Sequence, residues 1–397
     1  MNVPQLRFKG FEGEWRRVSI GELGEFLKGS SISKTDLSKD GEPCILYGEL
    51  YTKYGEVIQN VFSKTNIKLS KKIYGLKNDV LIPSSGETAI DIACASALEV
   101  EKVLLGGDLN LFRPNSEVNG PFISYQINGV RKFELSKLAQ GASVVHLYSN
   151  SLKKFRMTFP ILKEQEKISS FLILLNKRIE KQKEKIEELE QFKKGMMQKI
   201  FSQELRFKDE DGGEFPEWEE KKIGNFLSES RIMGSKGDVA NKLTVKLWGK
   251  GIVAKREAIQ GSVNTQYYIR RKGQLMYGKL DFLNCAFGIV PSEFDGYEST
   301  LDSPAFDIRN IDSRFLLEYI KRKKFYLKYG NQANGSRKAK RIHPDIFFEM
   351  PIEVPSKKEQ QKISSFLTLL DMKINKEIEQ LRVLDEKKNS FMQKMFI

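Results

Sequence analysis

Cysteine and histidine are nearly missing from this chain of 397 residues. Cys44, Cys94 and Cys285 are its only thiols, and His146 and His343 its only imidazoles. No pair of thiols has C-x-x-C spacing, so neither a disulfide framework nor a zinc site is expected. Long apolar runs are missing too. None approaches the ~18–20 residues of a membrane span, and the opening MNVPQLRFKGFEGEW lacks the apolar segment of a secretory signal. These absences predict a cytoplasmic, reduced, metal-free protein with no membrane partner. Catalytic signatures are equally scarce. There is no phosphate-binding Gly-x-x-x-x-Gly-Lys-Ser/Thr loop and no Asn/Asp-Pro-Pro-Tyr/Phe run. Pro344-Asp345 followed by Glu349 lacks the Glu-x-Lys that would complete a nuclease set, so Asp345 is read as the start of a turn. A non-catalytic binding protein is the simpler expectation.

What the chain has is positive charge. It carries 66 Lys and Arg against 52 Asp and Glu, a net charge of +14. Clustered cations of this kind suit a polyanionic partner, because they neutralise phosphates and release counterions. Forty per cent hydrophobic residues are enough for real cores, and the length suits two or three domains.

The chain is also written twice. PILKEQEKISSFLILLNKRIEKQKEKIEELEQFKKGMMQKIF begins at Pro160, and PSKKEQQKISSFLTLLDMKINKEIEQLRVLDEKKNSFMQKMF begins 195 residues later at Pro355. The two align without a gap, and about half of their positions are identical. A shorter repeat follows in circular order: SQELRFKDEDGGEFPEW after Phe201 matches PQLRFKGFEGEW at Pro4–Trp15. A ring of two similar halves opened at one point would produce this order. It predicts termini that meet and a pseudo-two-fold relation.

Each long repeat is predicted to be a helix with a 3.5-residue apolar seam. The first seam is Ile168, Leu172, Leu175, Ile179, Ile186, Leu189, and the second is Ile363, Leu367, Leu370, Ile374, Leu381, Leu384. Polar residues interrupt both at matching places, Gln182 with Lys193 and Glu377 with Lys388, where they would set register. Helices of about forty residues span roughly 60 Å. Neither can bury its stripe alone, so antiparallel pairing within the chain is expected. The predicted architecture is therefore mixed α/β. Globular domains at 1–155 and 203–350 alternate with helical repeats at 156–202 and 351–397 that form an antiparallel coiled-coil spacer.

The two globular blocks share only a general style, with strand-like runs at Val80–Pro83, Gln274–Tyr277 and Phe306–Ile308 and short helices at Ser136–Leu138 and Phe315–Tyr329. A repeated scaffold carrying two divergent domains suggests one task performed on two targets. The second block holds the sharpest basic cluster, with nine cations and no acid between Tyr319 and Pro344. Its candidate DNA contacts are Lys321, Lys324, Asn331, Gln332, Asn334, Arg337, Lys338, Lys340 and Arg341. Lys and Arg can hold phosphates or guanine edges, and Asn and Gln can pair with adenine. The first block offers Lys28, Ser30, Lys34 and the loop with Ser84 and Ser85. It also offers Gln140, with Ser143 and His146 of the following GASVVHLYSNSL, at the place before the helix that matches the basic loop of the second block; His146, a lone histidine, is read as packed or solvated rather than as a base reader.

Two variable domains alternating with two helices, each opening Pro-x-x-x-Glu-Gln-x-Lys-Ile, resemble the specificity subunits of type I restriction–modification enzymes over essentially the whole chain. The signatures are Pro160, Glu164, Gln165, Ile168 and Pro355, Glu359, Gln360, Ile363. The resemblance implies double-stranded DNA with a bipartite site as the target, one half for each variable domain. It also implies two adenine-methyltransferase subunits docked on the helices and motor-nuclease subunits beyond them. S-adenosylmethionine, ATP and Mg would belong to those partners, with no cofactor in this chain. On this reading one heptad inserted within Ile179–Leu189 lengthens the spacer between half-sites. The alternatives are a basic nucleic-acid-binding coiled-coil scaffold outside restriction–modification, a detached enzyme fragment, or a purely structural linker.

Overall fold

The computed structural model describes residues 3–255, 262–331 and 341–397. Two helices dominate, Leu162–Phe201 of 40 residues and Lys357–Lys394 of 38. Each starts two residues after its proline, which fixes φ and supplies no donor to the preceding strand. The chain divides into two compact units, residues 1–186 with 376–397 and residues 187–375. These boundaries cut across the helices: each globular block takes with it the adjoining half of both, so the separate helical segments read from sequence are shared between the units.

In the first unit a five-stranded sheet has the order Gly24–Lys28, Leu109–Pro114, Val80–Pro83, Ser96–Leu98, Val57–Ile58. A second five-stranded sheet covers Leu37–Ser38, Ser63–Thr65, Glu42–Ile45, Lys102–Leu105 and Tyr74–Leu76. Val80–Pro83 is buried at all four positions, which explains its unbroken apolar run. The helix expected at Ser136–Leu138 meets a longer helical stretch only at its last residue, and Lys137 and Leu138 form the turn beyond it. That stretch runs from Gly120 through a π-helical turn at Ile127–Arg131 and ends at Ser136.

The second unit has a four-stranded sheet, Leu227–Ser230, Ala305–Ile308, Leu275–Tyr277, Phe287–Ile289, with smaller sheets beside it. The single helix expected over Phe315–Tyr329 is two, Ser313–Ile320 and Lys323–Gly330. The break falls at Arg322, whose guanidinium leaves the helical path to lie 3.7 Å from the Tyr319 ring centroid and to donate to the Phe201 carbonyl. Asp345 also departs from expectation, because it lies in the first turn of the Pro344–Phe348 helix.

The Glu-Gln signature makes the same set of bonds in both units. Glu164 accepts from Arg7 at 2.7 and 2.8 Å, and Glu359 from Arg206 at 3.2 and 2.9 Å. Gln165 and Gln360 each donate to the carbonyl of their proline at 2.9 Å. Their side-chain oxygens receive the backbone N–H of Asn119 and Asp312, the residues that cap the short helices Gly120–Gln126 and Ser313–Ile320. Ser169 and Ser364 donate to those same caps at 2.7 and 2.5 Å. The signature thus satisfies backbone groups that burial would otherwise orphan. The circular order is physical too. Leu6 N–H donates to Lys394 C=O at 2.9 Å, as Leu205 N–H donates to Lys199 C=O at 3.1 Å. The N- and C-terminal segments meet as a continuous chain does in the other half.

The helices run antiparallel, as Phe171 against Phe391 in the first unit and Lys193 with Asp371 in the second demonstrate. Ile168, Leu172, Ile363 and Leu367 are at most 2% exposed and belong to the globular cores. Ile179, Ile186, Leu370 and Ile374 are buried, while Leu175, Leu189, Leu381 and Leu384 are half-buried. The polar interruptions find partners. Gln182 donates to the Glu377 backbone carbonyl at 2.9 Å and to its carboxylate at 2.7 Å, and Lys185 joins the carboxylate at 2.7 Å. Lys388 pairs with Glu56. The bonds to Lys185 and Gln182 hold the Glu377 carboxyl below the usual carboxylate range. Its folded pKa is therefore the lower one, so the stabilisation is present above the unfolded value of ~4.3 and is lost as pH falls through the folded value. Melting curves of the wild type and Glu377→Gln should differ at pH 7 and converge as the pH drops below about 4.

Candidate nucleic-acid interface

Both central sheets end in the same way. In the first unit Lys28 lies opposite Asn110, and Leu109 opposite Pro83, so Lys28, the Asp108 turn and Ser84 gather at one sheet end. Ser84 N–H donates to Asp108 C=O at 2.8 Å, and Ser84 C=O accepts from Leu147 N–H at 3.0 Å. Asn110, wholly buried, donates to the Leu147 carbonyl at 2.9 Å. The segment before the long helix is thereby tied to the sheet end. Ser85–Gly86 pairs with Val145–His146, and Gln140 exchanges backbone bonds with His146. Two stretches singled out independently in the sequence, Ser84–Thr88 and Gln140–His146, are thus neighbours, with residues 141–144 exposed between them.

In the second unit Lys279 occupies the place of Ser84. Lys279 N–H donates to Asp302 C=O at 2.9 Å, and Lys279 C=O accepts from Ile342 N–H at 3.1 Å. Tyr277 Oη donates to the Ile342 carbonyl at 2.9 Å, as Asn110 does to Leu147. Arg341 follows as the counterpart of His146, half exposed and 3.9 Å from Asp302. Gly330 packs so closely on Leu283 that an added Cβ would lie 2.5 Å from it, which brings exposed Asn331 to the same turn. Lys279 is 8% exposed, and burial lowers its pKa, with Arg231 and Arg341 lowering it further and Glu229 and Asp302 opposing. Lys279 thus sits desolvated between two carboxylates, Glu229 and Asp302, and two guanidiniums, Arg231 and Arg341.

The remaining candidates divide. Lys34 is exposed at the start of the Lys34–Asp36 turn. Ser30 and Ser85 are each 5% exposed, and the Ser30 hydroxyl accepts from Ile73 N–H, so both belong to the scaffold rather than the surface. Lys321 lays its stem over Gly249 and places its ammonium 3.3 Å from Glu318. Lys324 is exposed on a different side, beside Glu220 and Glu353 of the two-stranded sheet formed by Glu219–Lys222 and Pro351–Val354. Gln332, Asn334, Arg337, Lys338 and Lys340 lie outside the described residues. Sequence reasoning missed Lys279 and Asn110, whose significance comes only from main-chain partners far along the chain.

No catalytic grouping accompanies these surfaces among the described residues. Burial pushes the thiols of Cys44, Cys94 and Cys285 up to about 11, far from a reactive thiolate. No cluster of His, Cys, Asp and Glu able to hold a metal is found among the described residues, and no described helix is long and apolar enough to cross a membrane.

Residues 12–191 match the family model described as the type I restriction modification DNA specificity domain. The type I restriction enzyme MjaVIII specificity subunit of Methanocaldococcus jannaschii is 27% identical over 53% of this chain and 48% of its own length. A second protein of that organism, the putative MjaX specificity subunit, is 32% identical over 34% of this chain and 33% of its own length. The chain thus spans about half and a third of these relatives. The S subunit of a type I restriction–modification system from M. genitalium shares the fold at 16% identity, with a TM-score of 0.61, covering 100% of this chain and 99% of that one. A further chain of a type I system does so at 14% identity and a TM-score of 0.55, covering 96% and 97%. Residues 12–191 thus match the type I restriction modification DNA specificity domain in sequence, and the whole chain shares the fold of the M. genitalium S subunit.

Proposed function

We propose that each unit reads one half of a bipartite duplex DNA site with the sheet end that carries Ser84 in one and Lys279 in the other. The observation behind this reading is the duplicated platform: the same main-chain bonds present different side chains in two divergent domains. Lys28, Ser84, His146 and the 141–144 loop serve the first half-site; Lys279, Asn331, Arg341 and the basic stretch with Gln332, Asn334, Arg337, Lys338 and Lys340 serve the second. Basic residues there neutralise phosphates, and the amide and guanidinium groups reach base edges in the major groove. The paired helices fix the unread gap and dock two adenine-methyltransferase subunits. Those partners bring S-adenosylmethionine and flip the target adenines, while motor-nuclease subunits using ATP and Mg cut unmethylated DNA. This chain performs no chemistry itself, and it works in the cytoplasm.

The deciding experiment is a genome-wide map of N6-methyladenine with and without the gene. Loss of one motif with a fixed gap supports the reading. An unchanged map in cells that make all the subunits refutes it and leaves the basic-scaffold alternative. Residue roles are tested in the same assay. Lys279→Ser, which gives the second platform the side chain of the first, should alter or relax one half of the motif about 5- to 150-fold, the range expected for one base-edge contact, and leave the other half intact. Equal weakening of both halves would refute a reading role for Lys279.

A further inference from the structure

The strands Leu243–Val245 and Ile252–Ala254 of the second unit form a hairpin whose turn reads Lys246-Leu247-Trp248-Gly249-Lys250-Gly251. Trp248 is 61% exposed, whereas Trp15 is 2% exposed and Trp218 is half-buried. Its backbone sits at φ +62°, in the left-handed region where a bulky side chain is strained. The conformation is imposed by two bonds to the turn after Leu275–Tyr277, from Trp248 N–H to Asn284 C=O and from Gly249 N–H to Cys285 C=O, both 2.7 Å. That turn also contains Lys279, so the indole stands at the same sheet end as the recognition platform. The charge along the hairpin's own sequence has one sign, and Asp281 of the supporting turn accepts from the Asn284 side chain. Lys246 and Lys250 are exposed on either side, and the sequence from Lys242 to Lys255 holds four lysines and no acid. Glu318, the carboxylate beside the neighbouring Lys321, is already engaged by Lys321 and Arg314.

We propose that this turn is a DNA-contacting finger. Trp248 lays its indole against a base or sugar of the duplex while Lys246 and Lys250 neutralise the adjoining phosphates. The exposed apolar surface invites a partner, and the lysines select a polyanion over a protein face of ordinary composition. The main-chain bonds hold the ring outward before DNA arrives, so little ordering is needed on contact. The inference rests on the reading of the second unit as a DNA-binding domain and adds a stacking and anchoring residue that the platform itself lacks.

The test uses the full-length chain and a short duplex carrying its methylation motif, with acrylamide quenching of tryptophan fluorescence. The duplex should cut quenching severalfold in the wild type and leave it unchanged in Trp248→Phe and Trp248→Ala, in which only buried Trp15 and half-buried Trp218 remain. Trp248→Ala should weaken binding about tenfold, within the range of aromatic stacking on bases, and Trp248→Phe should retain most of the affinity. Trp248→Gly separates binding from folding: its melting temperature should not fall, because glycine relieves the left-handed backbone, yet its affinity should drop as for alanine. Lys246→Ala with Lys250→Ala should reduce the slope of log affinity against log salt by about two. Bound duplex that leaves Trp248 as accessible as before, or full affinity in Trp248→Ala, overturns the proposal. So does a variant that binds duplex normally but no longer co-purifies with the methyltransferase subunits, which would make the turn a protein-docking surface. Failure of the wild-type chain to prefer its motif over an unrelated duplex would instead count against the bipartite reading, and the quenching result would still decide whether the turn touches DNA.

Discussion

Glu164→Ala is expected to destabilise the first unit by about 3 kcal/mol, and Glu359→Ala the second by slightly more. Each carboxylate is 1% exposed at its side chain and receives two donors from an arginine that is itself 15–20% exposed. Truncation leaves a guanidinium without its counter-ion, and removing one partner of a buried pair costs ~3–5 kcal/mol. The partial exposure of Arg7 and Arg206 puts these sites at the lower end. Glu359 also accepts from Trp218 Nε1 at 3.2 Å, whereas Trp15 Nε1 is buried without a partner. That extra bond adds ~0.5–1.5 kcal/mol to the second site. Glutamine at either position keeps an acceptor and should cost about half as much. Replacing both members of a pair by apolar residues of similar volume should recover most of the loss. Urea unfolding of these variants measures this. Equal midpoints for wild type and Glu164→Ala would show that the clamp contributes nothing.

The scaffold was legible in the sequence because it is written twice. The offset of 195 residues, the seam phase and the circular order could be read directly, and the repeated Arg-Phe and Glu-Gln pairs turn out to bond to each other. The boundary between helix and domain was not legible. Ile168 and Leu172 continue the seam phase yet pack into the globular core, since a heptad pattern says which face is covered but not by what. The proposed recognition platform was harder still. Ser84 and His146 carry no distinctive local pattern, and Lys279 lies outside the basic cluster. Their equivalence rests on backbone bonds between residues 63 apart in both units, Ser84 with Leu147 and Lys279 with Ile342. Composition drew attention to Tyr319–Pro344, but charge density does not reveal direction: Arg322 turns inward onto Tyr319, and Lys324 faces another side. Ser30 and Ser85 failed as surface candidates because short polar side chains also serve to satisfy buried backbone groups.

If the helices set the gap, lengthening them should change the DNA sequence that is methylated. Gln182 and Glu377 occupy equivalent places in the two repeats and are bonded to each other. An insertion in one helix alone therefore slides the seam residues beyond it against an unmatched partner. One heptad inserted after Gln182, matched by one after Glu377, preserves the seam phase on both helices and adds ~10.5 Å at 1.5 Å per residue. At ~3.4 Å per base pair that corresponds to about three base pairs of gap. The expected methylation map retains both half-sites with a gap about three base pairs longer. Methylation should also slow, because three pairs rotate the second half-site around the duplex, and twisting or bending it back costs on the order of a few kcal/mol. Replacing Gln182 and Glu377 by leucine acts in the opposite sense. It removes the polar pair that fixes register, so a single-helix insertion should be accommodated better in that background than in the wild type. The readout is the modal gap between methylated half-sites across the genome. A gap that stays at its wild-type length in a folded, active double-insertion enzyme would mean that the recognition domains, and not the helices, determine the spacing.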